Sequence, residues 1–218
     1  MHVPLVNIHT HHIKENTAAE FSLPNIIVSK NYLITQPCSL GIHPWYIDTA
    51  YEAQLDVLYE HGRKTQVLAI GECGLDKLCD TEWHMQVLLF ERQIALANQL
   101  KKPLIIHCVR AYQECLQLLR QHKVSVPVMF HGFEKNVALA QQIVREGYYL
   151  SMGTALLHGK KDELVHELPL DRIFLETDNQ SCKIESIYDY VATTKNMERS
   201  ELAQQLYSNF TQVFEKSS

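Results

Sequence analysis

The sequence predicts an α/β protein that closes into a TIM-type (β/α)8 barrel. Three observations carry this reading. Short β-rich apolar runs recur eight times along 218 residues, patterns at helical spacing stand between many of them, and no Gly/Ser-rich or Pro-rich linker breaks the series. Strands alternating with helices indicate a parallel sheet, and eight such units close most naturally on themselves. With 46% hydrophobic residues and no internal repeat or low-complexity tract, residues 1–218 are read as one barrel domain around one core.

The strands are expected at Pro4–Ile8, Asn25–Ser29, Pro37–Ile42, Val67–Glu72, Pro103–Cys108, Pro127–His131, Tyr148–Met152 and Arg172–Thr177. Val87, Phe90, Ile94 and Ala97 mark one helical face after the fourth strand, and Tyr112, Cys115, Leu116 and Leu119 mark another after the fifth. Leu202, Leu206, Phe210 and Val213 stripe a C-terminal helix expected to open at Ser200. These stripes are packing faces. The segments after strands one and two are too short for full barrel helices.

Composition excludes several classes. No apolar run approaches the roughly 18 residues needed to span a membrane, and Met1-His2-Val3-Pro4-Leu5 does not read as a signal peptide. Six cysteines at 38, 73, 79, 108, 115 and 182 form no CxxC pair, so reduced thiols and a cytoplasmic location are the expectation. A net charge of −5 argues against a broad basic face for nucleic acid. It leaves room for a nuclease whose metal ions supply the positive charge locally.

The chemistry-bearing residues stand at strand ends. Residues two apart on a strand point to one side, so His9 and His11 in Asn7-Ile8-His9-Thr10-His11 can face one ion, or be two satisfied polar loop residues. Glu72 follows the apolar run Val67–Ile70 between Gly71 and Cys73-Gly74, where a carboxylate is costly unless paired or bound to metal. Leu104-Ile105-Ile106-His107 and Val128-Met129-Phe130-His131 repeat one design, an apolar strand delivering a histidine. Asp178 closes Ile173-Phe174-Leu175-Glu176-Thr177-Asp178, a place that also suits a helix cap. Active sites of this fold lie at the C-terminal ends of the strands. Six His and carboxylate candidates there exceed what one catalytic ion needs, and a mixed set suits zinc, manganese or iron. A two-metal site bridged by Glu72 uses them all.

These blocks resemble the TatD family of metal-dependent deoxyribonucleases, within the amidohydrolase-like barrels. The matching pieces are His9-Thr10-His11, Gly41-Ile42-His43-Pro44, Ile70-Gly71-Glu72-Cys73-Gly74-Leu75-Asp76, Phe90-Glu91-Arg92-Gln93-Ile94, Ile106-His107, His131-Gly132-Phe133 and Leu175-Glu176-Thr177-Asp178, in the family's order. Ser208-Asn209-Phe210 and Phe214 are similar to its C-terminal helix.

The resemblance implies two divalent ions (Mg, Mn or Zn), one held by His9, His11, Glu72 and Asp178 and the other by Glu72, His107 and His131. Asp178 and Glu72 would be catalytic, with Asp178 accepting a proton from the attacking water. His43 would line the substrate cleft, or be a turn residue set by Pro44. DNA, taken as single-stranded ends, would be the partner, with no membrane and no obligate protein partner. Two divalent ions bring four positive charges and Glu72 and Asp178 return two, leaving a pocket suited to a phosphodiester. A carbonyl, ester or amide hydrolase is the alternative, and a low-turnover metal-binding scaffold a third reading.

The chain departs from the family pattern at the rim. Asn7 stands where the family has Asp, Val109 where it has Arg, Lys77 where an aromatic is common, and Asn179-Gln180-Ser181 replaces a Ser-Pro continuation. Arg110 and Lys77 are the candidate phosphate contacts in place of the missing arginine, or solvated loop charges.

Overall fold

The computed structural model describes residues 3–28, 33–159 and 161–215. All eight predicted strands are present: β1 (Leu5–Thr10), β2 (Glu20–Ile27), β3 (Cys38–Gly41), β4 (Val67–Asp76), β5 (Leu104–Val109), β6 (Val128–Phe130), β7 (Tyr149–Met152) and β8 (Ile173–Leu175). They form one sheet in the order β1 to β8. A parallel bridge between Thr10 and Asp178 joins the first strand to the segment after the last, as a (β/α)8 barrel requires. The helices are α1 (Tyr51–His61), α2 (Trp83–Leu100), α3 (Tyr112–Gln121), α4 (Val137–Arg145), α5 (Asp162–Glu167), α6 (Ile184–Lys195) and α7 (Arg199–Phe210). As expected, no helix separates β1 from β2, and none separates β2 from β3 among the described residues.

Several boundaries differ from expectation. β2 starts at Glu20 rather than Asn25, and Ser29, its expected end, lies outside the described residues. β4 does not stop at Glu72 but runs on to Asp76, paired with β5 as far as Asp76 and Val109. Glycine makes this possible. A Cβ on Gly71 would lie 2.3 Å from the Ile105 carbonyl oxygen, and one on Gly74 only 2.1 Å from that of His107. Both glycines have φ near +140°, a region L side chains rarely adopt. β4 therefore hugs β5 through the segment that carries Glu72. At the C-terminus, Glu198 rather than Ser200 caps α7: its side chain and that of Glu201 form a reciprocal capping box.

The described residues fall in two compact units, one within Asn25–Met129 and one within Met1–Pro24 and Phe130–Lys216. In the first, Leu40, Leu58, Ile70, Phe90, Ile105 and Leu116 are fully buried. α3 buries Tyr112, Cys115, Leu116 and Leu119 as its stripe predicts, whereas Val87 of α2 is only half-buried. Two glutamines of α2 are buried instead. Gln93 accepts from the Ile42 amide (2.8 Å) and donates to the Ile42 carbonyl (3.0 Å), while Gln86 does the same for Asp76 at 2.8 and 3.1 Å. α2 thus clamps the backbone just before His43 and at the end of β4.

In the second unit, Ile8, Leu150, Phe174, Leu175, Val191 and Leu206 fill the core. The buried Tyr188 hydroxyl accepts from the Val6 amide (3.0 Å) and donates to the Val6 carbonyl (3.1 Å), satisfying backbone that β1 leaves unpaired there. Asn7 ties β1 to the end of β8: its side-chain amide donates to Thr177 Oγ1 (2.9 Å), and its carbonyl accepts the Thr177 amide (3.0 Å). This neutral two-way contact is the work of the asparagine that stands in the family's aspartate position.

Candidate metal centre

Among the described residues, each unit holds a cluster of histidines and carboxylates. In the Asn25–Met129 unit the donor atoms of His43, Glu72 and His107 lie within 4.8 Å of one another. Glu72 and His107 sit inside β4 and β5 rather than at their ends, which corrects the strand-end expectation for both. Glu72 is almost fully buried, and both carboxylate oxygens are engaged: Oε1 by His107 Nδ1 (2.9 Å) and His43 Nε2 (3.2 Å), Oε2 by the Asn25 side-chain amide (3.2 Å). Asn25 also accepts the Glu72 amide (2.8 Å) and the Ser39 hydroxyl (3.0 Å), which holds the carboxylate from the β2 and β3 side.

Of the two roles left open for it, His43 takes that of a turn residue, and it also reaches Glu72. Its Nδ1 accepts the Trp45 amide (3.1 Å), capping the short 3-10 turn Pro44–Tyr46, while Nε2 faces Glu72. His107 has its second nitrogen, Nε2, 3.1 Å from Asp76 Oδ2. Burial alone would push the Asp76 carboxyl up. Hydrogen bonds from the Trp45 indole (2.6 Å), the Leu78 amide (2.7 Å) and His107 outweigh it and hold Asp76 below the usual carboxylate range.

In the other unit the donor atoms of His9, His131 and Asp178 lie within 4.8 Å of one another. His9 lies inside β1, His11 just beyond it, His131 just after β6, and Asp178 three residues past β8. Asp178 adopts φ 51°, a left-handed conformation that Asp tolerates better than most residues. Its amide donates to the His9 carbonyl and its carbonyl accepts the His11 amide, both at 3.0 Å, so the first and last strands present their polar side chains together. Asp178 Oδ1 stands 3.3 Å from His11 Nε2 and 3.7 Å from His9 Nε2. His131 rests its Nδ1 3.3 Å from Glu176 Oε1, which also accepts the Gly132 amide (2.8 Å). The other oxygen of this fully buried carboxylate has no hydrogen-bond partner among the described residues.

The donor sets fit divalent metal. Two histidine nitrogens with a carboxylate oxygen suit zinc or manganese. Ligands at about 2.1 Å from one ion sit up to roughly 4 Å apart, so clusters this tight need only small adjustment. In each cluster a second buried carboxylate, Asp76 or Glu176, holds the far nitrogen of a histidine, the arrangement that fixes tautomer and ring orientation in metal sites.

Sequence reasoning placed His131 with Glu72 and His107. Within the units it stands with His9 and Asp178, and His43 stands with Glu72 and His107. Asp76, Glu176 and Asn25 were not singled out. The first two were visible inside the IGECGLD and LETD blocks, as carboxylates near a ligand on a buried strand. Lys77 pairs with Glu114 and lies 5.6 Å over the Trp83 ring, while Arg110 is exposed at φ 55°. Burial and the Glu72 charge push the Cys73 thiol far up, and burial and Cys108 do the same for Cys115. Neither is a thiolate nucleophile.

A family profile described as TatD related DNase matches residues 10–215. An uncharacterised metal-dependent hydrolase from Buchnera aphidicola is 30% identical over 195 residues, 81% of this chain and 73% of its own. TATDN3 of Mus musculus, provisionally named a deoxyribonuclease, is 32% identical over 170 residues, 70% of this chain but only 58% of its own length. The crystal structure of the TatD homologue YjjV from Escherichia coli superposes with a TM-score of 0.82, covering 99% of both chains at 21% identity. No described helix is long and apolar enough to cross a membrane. The chain belongs to the TatD related DNase family, a family of metal-dependent hydrolases.

Proposed function

We propose that this protein hydrolyses phosphodiester bonds in DNA, at single-stranded ends, with two divalent ions. The observation that carries this is the paired design described above: two His/carboxylate clusters, each steadied by a further buried carboxylate. His9, His11, His131 and Asp178 would hold one ion, and Glu72, His107 and His43 the other. When bound, such ions supply Lewis acidity and acidify water near neutral pH. Asp178, with 36% of its side chain exposed, is the carboxylate best able to accept a proton from the attacking water. Asp76 and Glu176 hold His107 and His131 in orientation. Arg110, exposed beyond β5, is the candidate backbone contact for DNA. A cytoplasmic location and a single hydrolase domain complete the proposal, the former supported by six free thiols.

One observation favours the carbonyl or ester hydrolase reading. Counting Asp76 and Glu176 with Glu72 and Asp178, four carboxylates offset the four charges of two divalent ions, and the positive excess expected from sequence disappears. Attraction of a phosphodiester would then rest on direct ligation and on Arg110. The deciding experiment reloads chelator-stripped protein with Mg, Mn or Zn. It is then offered single-stranded and duplex oligonucleotides, a small phosphodiester, an ester and an amide. Metal-dependent cutting of the single strand is the expected result. Ester or amide hydrolysis without DNA cleavage overturns the nuclease reading.

A further inference from the structure

Beside the Glu72 cluster lies a cleft of about 390 Å³ lined by Trp45, Asp76, Leu78, Cys79, Thr81 and Val109. Trp45 and Leu78 are large apolar side chains left 57% and 61% exposed. Trp45 is also held in place. Its amide is tied to His43, its indole N–H donates to Asp76 at 2.6 Å, and its ring stands edge-on to His43 (5.1 Å, 82°) and His107 (5.9 Å, 76°). Thr81 fixes the turn beneath by donating to the Pro44 carbonyl at 2.6 Å. Leu78 is set by its amide on Asp76.

An aromatic side chain fixed by its indole N–H and its backbone amide and still facing water is a preorganised stacking surface, which loses little entropy on binding. The exposed Asp80 carboxylate lies on the same wall. Together with Asp76 it opposes a phosphate there and can accept N–H groups. The charge and the flat apolar face fit a planar ring bearing N–H donors.

We propose that Trp45 and Leu78 form a nucleobase subsite, which stacks the base next to the phosphodiester being cut. This rests on the nuclease reading and names the part of the nucleotide recognised. Stacking of this kind tolerates any base, because every base has a π-face. The subsite therefore selects nucleic acid over other phosphodiesters without selecting sequence.

The chain has two tryptophans, so Trp83→Phe leaves Trp45 as the sole indole reporter. Metal-loaded Trp83→Phe protein is titrated with a short phosphorothioate oligonucleotide and with an abasic strand of equal length, following indole fluorescence. Saturable quenching by the base-bearing strand alone supports the subsite. Equal quenching by both, quenching by neither, or quenching by a lactone in place of the oligonucleotide overturns it. In wild-type background, Trp45→Phe and Trp45→Ala both lose the indole bond to Asp76, so stacking is read from the difference between them: KM for the oligonucleotide should be about five- to a hundred-fold higher in Trp45→Ala than in Trp45→Phe. A KM unchanged in Trp45→Ala also overturns it. DNA cleavage by the wild type is scored separately: its absence sinks the nuclease reading, while quenching still decides the subsite.

Discussion

The two histidine clusters differ in how completely their polar groups are held without metal. Around Glu72 the network is closed: His43, His107, Asn25 and Asp76 engage both carboxylate oxygens and both nitrogens of His107, and the Glu72 side chain is 3% exposed. Around Asp178 it is open. That carboxylate is 36% exposed, His11 is 30% exposed, and one buried oxygen of Glu176 has no hydrogen-bond partner among the described residues. A closed network is stabilised by its own hydrogen bonds, whereas the desolvation of that Glu176 oxygen is offset only when something binds. On the proposal above, the Glu72 cluster is the one held by its own hydrogen bonds and the Asp178 cluster the one that an ion would complete.

Metal removal is the hardest test of that contrast. Chelation should abolish hydrolysis, and re-addition should restore it with about two equivalents of divalent ion bound. Hydrogen exchange on the stripped protein should rise around residues 9–11 and 176–178 before it rises around 72 and 107. Saturation at one equivalent, or equal loosening of both regions, breaks the comparison.

Substitutions sharpen it. Glu72→Gln keeps shape but removes the charge that Asn25, His43 and His107 surround, and a loss of more than about 100-fold in kcat is expected with the circular dichroism spectrum retained. A wild-type rate would end the metal role proposed for Glu72. Asp76→Asn and Glu176→Gln should each cost roughly 10- to 100-fold in metal affinity or activity, because each orients a histidine rather than binding metal itself. Isothermal titration would show whether the open cluster loses more.

The rim should respond less. Arg110→Ala should weaken single-stranded oligonucleotide binding and lower the salt slope by about one. Lys77→Ala should do little, since its ion pair with Glu114 is exposed and such pairs contribute about 0–1 kcal/mol. A larger salt effect from Lys77 than from Arg110 would reverse that order. Smallest of all, Cys73→Ala and Cys108→Ala should keep most activity at unchanged metal content. Complete inactivation would reinstate a thiol role.

What was legible in the sequence and what was not follows from the range of the interactions. The eight strands were readable because each is a local apolar run, and His9, His11, Glu72, His107, His131 and Asp178 were readable because each closely follows such a run, even where the strand itself continues past it. The end of β4 was not, since its continuation to Asp76 depends on Gly71 and Gly74 meeting β5. Asn25 carries no local signal at all: its contact with Glu72 spans 47 positions. The cap of α7 was misplaced by two residues because Ser is the commoner cap, while here two glutamates cap reciprocally. Trp45 was passed over because an aromatic after His-Pro reads as packing until its exposure is seen.

The clasp between Asn7 and Thr177 also sets an order of assembly. The two residues are 170 positions apart, whereas Asn25–Met129 is one continuous stretch. Contacts so distant in the chain form late. On a ribosome adding about 5–20 residues per second, β1 would wait roughly ten to thirty seconds for its partner segment to be made. Through that interval His9 and His11 belong to a strand that has β2 on one side but not yet the segment that carries Asp178. The nascent chain then offers the histidines of His9-Thr10-His11-His12 to free metal before the cluster that should receive it is complete. Metal loading is therefore expected to be a post-translational event, gated by the arrival of residues 173–178.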